Sequence, residues 1–187
     1  MLLIALEGID GAGKTTVAKK LFEKLHNKNV IITAEPFTQD IIKMIEDNGW
    51  KNPIILTLLF AADRAIHINW IYNQHPDIVI LDRYIYSSIA YQSVMGIDEE
   101  WIREVNSKFP KPTITFLIDV PIEIAIQRIN KNDKFNFEEK IKLLHNVRNK
   151  YLEIAKKDKL IIVNGQNNIE TITTEIFNVV EKYLKSS

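Results

Sequence analysis

The stretch Gly8-Ile9-Asp10-Gly11-Ala12-Gly13-Lys14-Thr15 fits the pattern G-x-x-x-x-G-K-[ST]. Glycines at these positions let backbone amides wrap closely around phosphate oxygens. The loop amides and the start of the following helix aim partial positive charge at the same anion. Lys14 is spaced to reach the terminal phosphates, and the Thr15 hydroxyl to ligate Mg²⁺. The chemistry is capture of a nucleoside triphosphate.

Four further groups bear on what is done with it. Asp10 would be repelled by a triphosphate, so it faces sideways, toward a sugar hydroxyl or the water shell of the metal. Asp82-Arg83 follows an apolar run, where an acid serves Mg²⁺ and an arginine grips a second phosphate. Phe60 and Arg64 are four residues apart and share a helical face. A ring to stack on and a fork of donors suit a nucleobase. Arg128 stands before Asn130-Lys131-Asn132-Asp133-Lys134, a polar stretch whose lysines suit a loop that closes over a migrating phosphoryl group. Each has a plainer reading: a turn-forming Asp10, a structural Asp82–Arg83 pair, a core aromatic at Phe60 and a solvated lysine-rich loop.

Positioning these groups requires a particular chain order. Leu2 to Leu6 reads as a buried strand ahead of the loop, and Val17 to Leu25 as a helix after it. Val30 to Ile32 is a second strand, ending in Thr33-Ala34-Glu35-Pro36, and Asp40 to Asn48 is a short amphipathic segment broken at Asn48-Gly49. Pro53 opens a long helix to about Tyr72, apolar on more than one face. Ile78 to Leu81 has the continuous apolar character of a central parallel strand, which puts Asp82-Arg83 in the crevice at its carboxyl end. Helical stretches follow over Ile85 to Val94 and Asp98 to Phe109, with Asp98 as N-cap. Thr113 to Val120 is a strand, Ile122 to Ile129 a helix, Asn136 an N-cap for a helix through Leu152, Leu160 to Val163 a strand and Ile169 to Leu184 the last helix. Alternation of this kind predicts one domain over residues 1–187, with a short lid at about 129–136. The fold class is α/β: a five-stranded parallel sheet with helices on both faces, a phosphate-loop NTPase architecture.

Bulk properties exclude other classes. Net charge is zero, with no basic field for nucleic acid or an anionic membrane. There is no cysteine, hence no disulfide and no thiolate zinc site. The N-terminus runs straight into a strand without a signal peptide, and no apolar run approaches the length of a bilayer span, so a soluble cytoplasmic protein is expected. Arginine is scarce, at five positions: Arg64, Arg83, Arg103, Arg128 and Arg148. Each is thereby a candidate for a geometrically demanding role, against the commoner fate of an ion pair.

Three blocks carry a family resemblance. They are Glu7-Gly8-Ile9-Asp10-Gly11-Ala12-Gly13-Lys14-Thr15-Thr16, Leu58-Leu59-Phe60-Ala61-Ala62-Asp63-Arg64, and Asp82-Arg83-Tyr84 with Ser87-Ser88 and Ala90-Tyr91-Gln92. Their content and spacing resemble thymidylate kinase, and Phe116 to Pro121 resembles the fourth strand of that family. The resemblance implies transfer of the ATP γ-phosphoryl group to dTMP with Mg²⁺. It assigns Gly8 through Thr16 to the ATP phosphates. It assigns Asp10, Glu35, Phe60, Arg64, Arg83, Ser88, Tyr91 and Gln92 to dTMP, with Phe60 stacking on thymine, Arg64 and Gln92 reading its edge, and Tyr91 disfavouring a ribose hydroxyl. Lys14, Arg83, Arg128 and Asp10 become the catalytic set, Thr15 and Asp82 the Mg²⁺ environment, and Asn164-Gly165 the adenine side. It also implies a homodimer, in keeping with the multi-faced helix at Pro53 to Tyr72.

Two departures stand out. Ala34 occupies the position where the family usually has arginine before Glu-Pro. Gly11 holds the loop position where some members place a catalytic arginine, so the sequence is similar to the subgroup that draws this charge from the lid. Here that leaves Arg128 with Lys131 or Lys134. Alternatives are a kinase for another acceptor, such as dUMP, and a nucleotide-gated binding protein. The latter needs a guanine motif after a strand, whereas Asn130-Lys131-Asn132-Asp133 follows a helix.

Overall fold

A computed structural model describes residues 1–47, 52–129 and 137–186. The expected break at Asn48-Gly49, the lid residues 130–136 with Lys131 and Lys134, and the Asn136 cap lie outside them.

The N-terminal apolar run becomes the centre of the sheet. Strand β1 (Leu2–Glu7) lies between β3 (Ile78–Asp82) and β4 (Ile114–Asp119), with β2 (Val30–Ala34) outside β3 and β5 (Ile161–Asn164) outside β4. All four pairings are parallel, in the order β2-β3-β1-β4-β5. Every residue of β3 is buried, which is why its sequence is continuously apolar rather than alternating. Alternate side chains serve opposite layers. Ile4 and Leu6 join Val17, Ala18 and Leu21 of α1 (Lys14–Lys24), while Leu3 and Ala5 join Ile68 and Ile71 of α3 (Pro53–Asn73). The remaining helices are α2 (Gln39–Asp47), α4 (Ile85–Val94), α5 (Glu99–Val105), α6 (Ile122–Arg128), α7 (Phe137–Asp158) and α8 (Ile169–Ser186). The expected five-stranded parallel sheet with helices on both faces is the observed one.

Strand register brings the functional loops together. Leu6 lies opposite Asp82, and Asp82 opposite Ala34. The loop after β1, Asp82-Arg83 after β3 and Glu35-Pro36 after β2 therefore leave the sheet side by side, at the carboxyl ends where ligands of such sheets bind. Arg83 N–H donates to the Leu6 carbonyl at 3.0 Å and Glu35 N–H to the Asp82 carbonyl at 3.1 Å, which fixes this alignment.

Caps act as the sequence suggests. The Asn52 side chain accepts from the Ile54 and Ile55 amides, with Pro53 at the first helical position, and Asp98 accepts from Trp101 N–H at 2.8 Å.

Two expectations need correction. Helix α5 ends at Val105 instead of running to Phe109. Asn106 stops it: its side-chain amide donates back to the Ile102 carbonyl at 2.7 Å, and its carbonyl oxygen accepts from Arg64 across the domain. The second concerns membrane length. Helix α3, at 21 residues, is long and apolar enough by composition to cross a membrane, because Asp63, Arg64 and His67 are its only strongly polar interruptions before Asn69. All three are buried against neighbouring loops and helices. The helix is apolar because one side packs on the sheet and much of the rest remains apolar and exposed.

Candidate active site

Helix α1 opens at Lys14 with Gly13 as N-cap in the left-handed region, so the preceding loop bends tightly under the helix N-terminus. The close fit of the loop explains its glycines. A Cβ on Gly8 would sit 2.6 Å from the Ile118 carbonyl oxygen, and one on Gly11 would collide with the Ala125 carbonyl. Any side chain at 11 therefore requires α6 to move, and an arginine there has no room in this chain. Ile9 and Ala12 point into the core and offer only backbone to the loop. Lys14 is buried and donates to the carbonyls of Gly8 and Ile9 at 2.9 Å each, curled over its own loop. Burial, and then the neighbouring Arg83, hold its pKa down to about 7.

Thr15 Oγ1 donates directly to Asp82, although the two are 67 residues apart in sequence. This hydroxyl–carboxylate pair borders a cavity of about 490 Å³ that Gly11, Gly13, Lys14, Thr16 and Arg128 also line. Two oxygen donors beside space for water and phosphate oxygens fit Mg²⁺, which takes few protein ligands and keeps waters. Among the described residues no cluster of three or more His, Cys, Asp or Glu forms a denser cation site. Arg128, at the end of α6, reaches the Gly165 carbonyl at 3.4 Å and the Gly11 carbonyl at 3.5 Å. It thus lies across the phosphate loop toward the β5–α8 turn.

A second cavity, of about 170 Å³, adjoins the first. The structure brings to its wall all eight residues that the family resemblance assigns to the acceptor: Asp10, Glu35, Phe60, Arg64, Arg83, Ser88, Tyr91 and Gln92. Asp10, Glu35 and Arg83 border both cavities. Arg83 is paired with Asp10, donates to the Gly8 carbonyl and Ser87 hydroxyl at 3.2 Å each, and lies over the Tyr91 ring. Burial pushes the Tyr91 phenol up to about 12, against the opposing Arg83 charge.

Arg64 is 1% exposed and held on every side. Nε donates to both oxygens of Glu35, Nη2 to Glu35 and Ser88, and Nη1 to Asn106, while Tyr84 and Phe109 flank the guanidinium. One Nη1 hydrogen has no partner among the described residues. Gln92 is buried, and its Oε1 likewise has no partner among them. Glu35 in turn meets His67 Nδ1 at 3.4 Å, whose other nitrogen meets Thr33 at 2.8 Å and whose ring stacks on Phe37. Glu35 thus acts on the site through Arg64. Asp63 accepts from the amides of Phe37 and Thr38 at 2.7 Å each and pins the chain after Pro36.

Sequence reading missed Asn106 and His67, whose roles arise from contacts far apart in the chain. It flagged Arg103 and Arg148 only weakly, and both prove to be ion pairs. Arg103 bridges Glu99 and Asp158, and Arg148 grips Asp119 through two bonds of 2.7 and 2.8 Å.

A phosphate loop on the central strand of a parallel sheet, opening into a second cavity with its own arginines, defines a phosphate-loop nucleoside monophosphate kinase. The family profile described as Thymidylate kinase matches residues 6–176. A probable thymidylate kinase of Sulfurisphaera tokodaii is 55% identical over 186 residues, 98% of each chain. One from Sulfolobus acidocaldarius is 54% identical over 191 aligned positions, again 98% of each, and one from Thermococcus kodakarensis is 37% identical over 202, also 98% of each. The chain belongs to the thymidylate kinase family.

Proposed function

We propose that this chain performs the reaction of its family, phosphorylation of dTMP to dTDP by ATP, with donor and acceptor in the two adjoining cavities. The observation that carries this reading is the shared wall. Asp10 and Arg83 border both cavities, so a triphosphate on the loop and a monophosphate beside Arg83 would meet there. The acceptor phosphate is already a nucleophile, so the protein's work is alignment and charge neutralisation. Lys14 leaves its two loop carbonyls for the β- and γ-phosphates. Arg83 leaves Asp10 for the acceptor phosphate, and Asp10 turns to the sugar 3′-hydroxyl. Thr15 and Asp82 would hold Mg²⁺, which when bound neutralises charge on the donor phosphates. Arg128 supplies the fork that reaches the Gly11 carbonyl at the edge of the donor site.

On the base side Phe60 stacks on thymine, and the spare N–H of Arg64 donates to a ring carbonyl. The unpartnered Gln92 Oε1 accepts from the ring N–H. Tyr91 packs against the sugar where a 2′-hydroxyl would sit. Steady-state turnover of ATP with dTMP, dUMP, dCMP, dGMP and thymidine tests the assignment. The expected result is a clear preference for dTMP, and equal turnover of dCMP would overturn it. Phe60→Ala is expected to raise KM for dTMP about tenfold, the worth of one stacked base, and to leave KM for ATP within about twofold. Equal effects on both would remove Phe60 from the base site.

We infer further that the exposed face of α3 is a homodimer interface. Ile54, Ile55, Leu58, Ile66 and Tyr72 form one apolar stripe on it. Sedimentation equilibrium is expected to return twice the chain mass, and Leu58→Glu a monomer. A monomeric wild-type protein would refute the interface.

A further inference from the structure

Arg83 stands at φ 73. This left-handed backbone is unfavourable for a side-chain-bearing residue and persists only where the surroundings over-determine it. A buried hub beneath the cavity does so. The Arg83 amide is tied to Leu6, and the next amide, of Tyr84, donates to Glu7 Oε1 at 3.0 Å. The turn is thus stitched to consecutive residues of β1 on both sides of the strained Cα. The other Glu7 oxygen accepts from the Ser87 hydroxyl at 2.6 Å and the Tyr151 hydroxyl at 3.0 Å. Those two hydroxyls lie 2.8 Å apart, and Ser87 also takes a bond from Arg83 Nη1.

Glu7 is fully buried, and no step of phosphoryl transfer uses it. Burial raises its pKa, and the three donors plus the nearby Arg83 charge oppose that rise. Tyr151 belongs to α7 and reaches the arginine by two routes. Its hydroxyl joins Glu7 and Ser87, and its ring edge meets the Tyr91 ring at 6.4 Å and 83°. The Arg83 guanidinium rests on that same ring, 5.2 Å from its centroid.

We propose that Glu7, Ser87 and Tyr151 are positioning residues for Arg83, holding its left-handed turn and the aromatic face beneath its guanidinium. This rests on the reading of Arg83 as the group that grips the acceptor phosphate. A carboxylate with three donors converging on it is a rigid anchor, and it fixes one helix (α4), a second (α7) and the turn to the central strand.

The test is a set of variants with both substrates titrated and folding followed by thermal melting. Tyr151→Phe keeps the ring contact and removes one hydroxyl; its KM for dTMP is expected to rise about fivefold, the worth of one buried hydrogen bond. Glu7→Gln keeps the shape and removes the charge, with an expected rise of about tenfold or more. KM for ATP stays within about twofold in both. In an Arg83→Gly background Tyr151→Phe is expected to add nothing, because the group it positions is gone. If KM for both substrates moves together, or if Tyr151→Phe costs the same with and without Arg83, the positioning role is overturned. If Arg83→Gly itself leaves dTMP kinetics intact, the acceptor-phosphate reading falls first and takes the inference with it. Should Glu7→Gln fail to fold, Tyr151→Phe and its cycle with Arg83 still decide.

Discussion

Replacing Lys14 by alanine is expected to lower kcat by roughly 10³-fold, at the upper end of what one preorganised electrostatic donor supplies. The size follows from the absence of a substitute among the described residues. Arg83 is committed to Gly8, Asp10 and Ser87, and Arg128 is exposed and, among the described residues, reaches the carbonyls of Gly11 and Gly165. Gly11 cannot bear a compensating side chain while α6 stays in place. Lys14→Arg is expected to fail as well, since a planar fork does not fit the buried slot between two loop carbonyls. Loss of fold would not explain the loss of rate. Burial works against the Lys14 charge in the nucleotide-free chain, and its removal leaves two carbonyls that water at the cavity mouth can reach. The melting temperature of Lys14→Ala should therefore match or exceed that of the parent. Initial rates with saturating ATP and dTMP, alongside a thermal melt, check both statements. A variant within tenfold of the parent rate would separate Lys14 from the chemistry.

The parts of this site that could be read from sequence share a property: their meaning is local. The phosphate loop is contiguous, Asp82-Arg83 follows its strand at once, and Phe60 and Arg64 are one helical turn apart. The inner strands β1, β3 and β4 were legible for the same reason, since burial on both faces leaves a largely unbroken apolar run. What could not be read depends on contacts across the fold. Asn106 ends a helix that periodicity would continue, because Arg64, 42 residues earlier, claims its oxygen. His67 looks like one more interruption in an apolar helix, yet it is the far end of the chain Arg64–Glu35–His67–Thr33. Tyr151 fits an apolar stripe by spacing, and its ring does pack in the core; only its hydroxyl reveals a second role. Scarcity of arginine marked five positions without distinguishing Arg103 and Arg148, whose ion pairs lie away from both cavities, from the three that line them. Conversely, the membrane-like composition of α3 is masked in the sequence because three buried polar groups, Asp63, Arg64 and His67, interrupt its apolar run.

Arg83→Gly isolates function from folding more cleanly than any other change in this site. Glycine adopts φ 73 without strain, so the substitution relieves backbone cost at the position where the chain bears it. It also discards the pair with Asp10, whose partners are 19% and 41% exposed and which therefore stabilises the fold little. The glycine remains stitched to Leu6, and Tyr84 to Glu7, so the turn itself is retained. The melting temperature is expected to stay level or rise. The acceptor side tells the opposite story. With the fork gone, no other arginine of the second cavity is available for a phosphate, because Arg64 is bound to Glu35, Ser88 and Asn106. The kcat/KM for dTMP is expected to fall by about 10²–10³-fold, the cost of deleting a charged group that grips a transferring phosphate. ATP binding in the absence of acceptor should change little. Arg83→Lys should recover only a small part of the loss, since an ammonium lacks the planar two-nitrogen fork that grips a phosphate bidentately and lies over the Tyr91 ring. A stable Arg83→Gly protein that turns over dTMP at the parental rate would mean that the strained turn serves packing alone. A large loss of rate without loss of stability means that the chain tolerates an unfavourable backbone at residue 83 because a guanidinium is needed there.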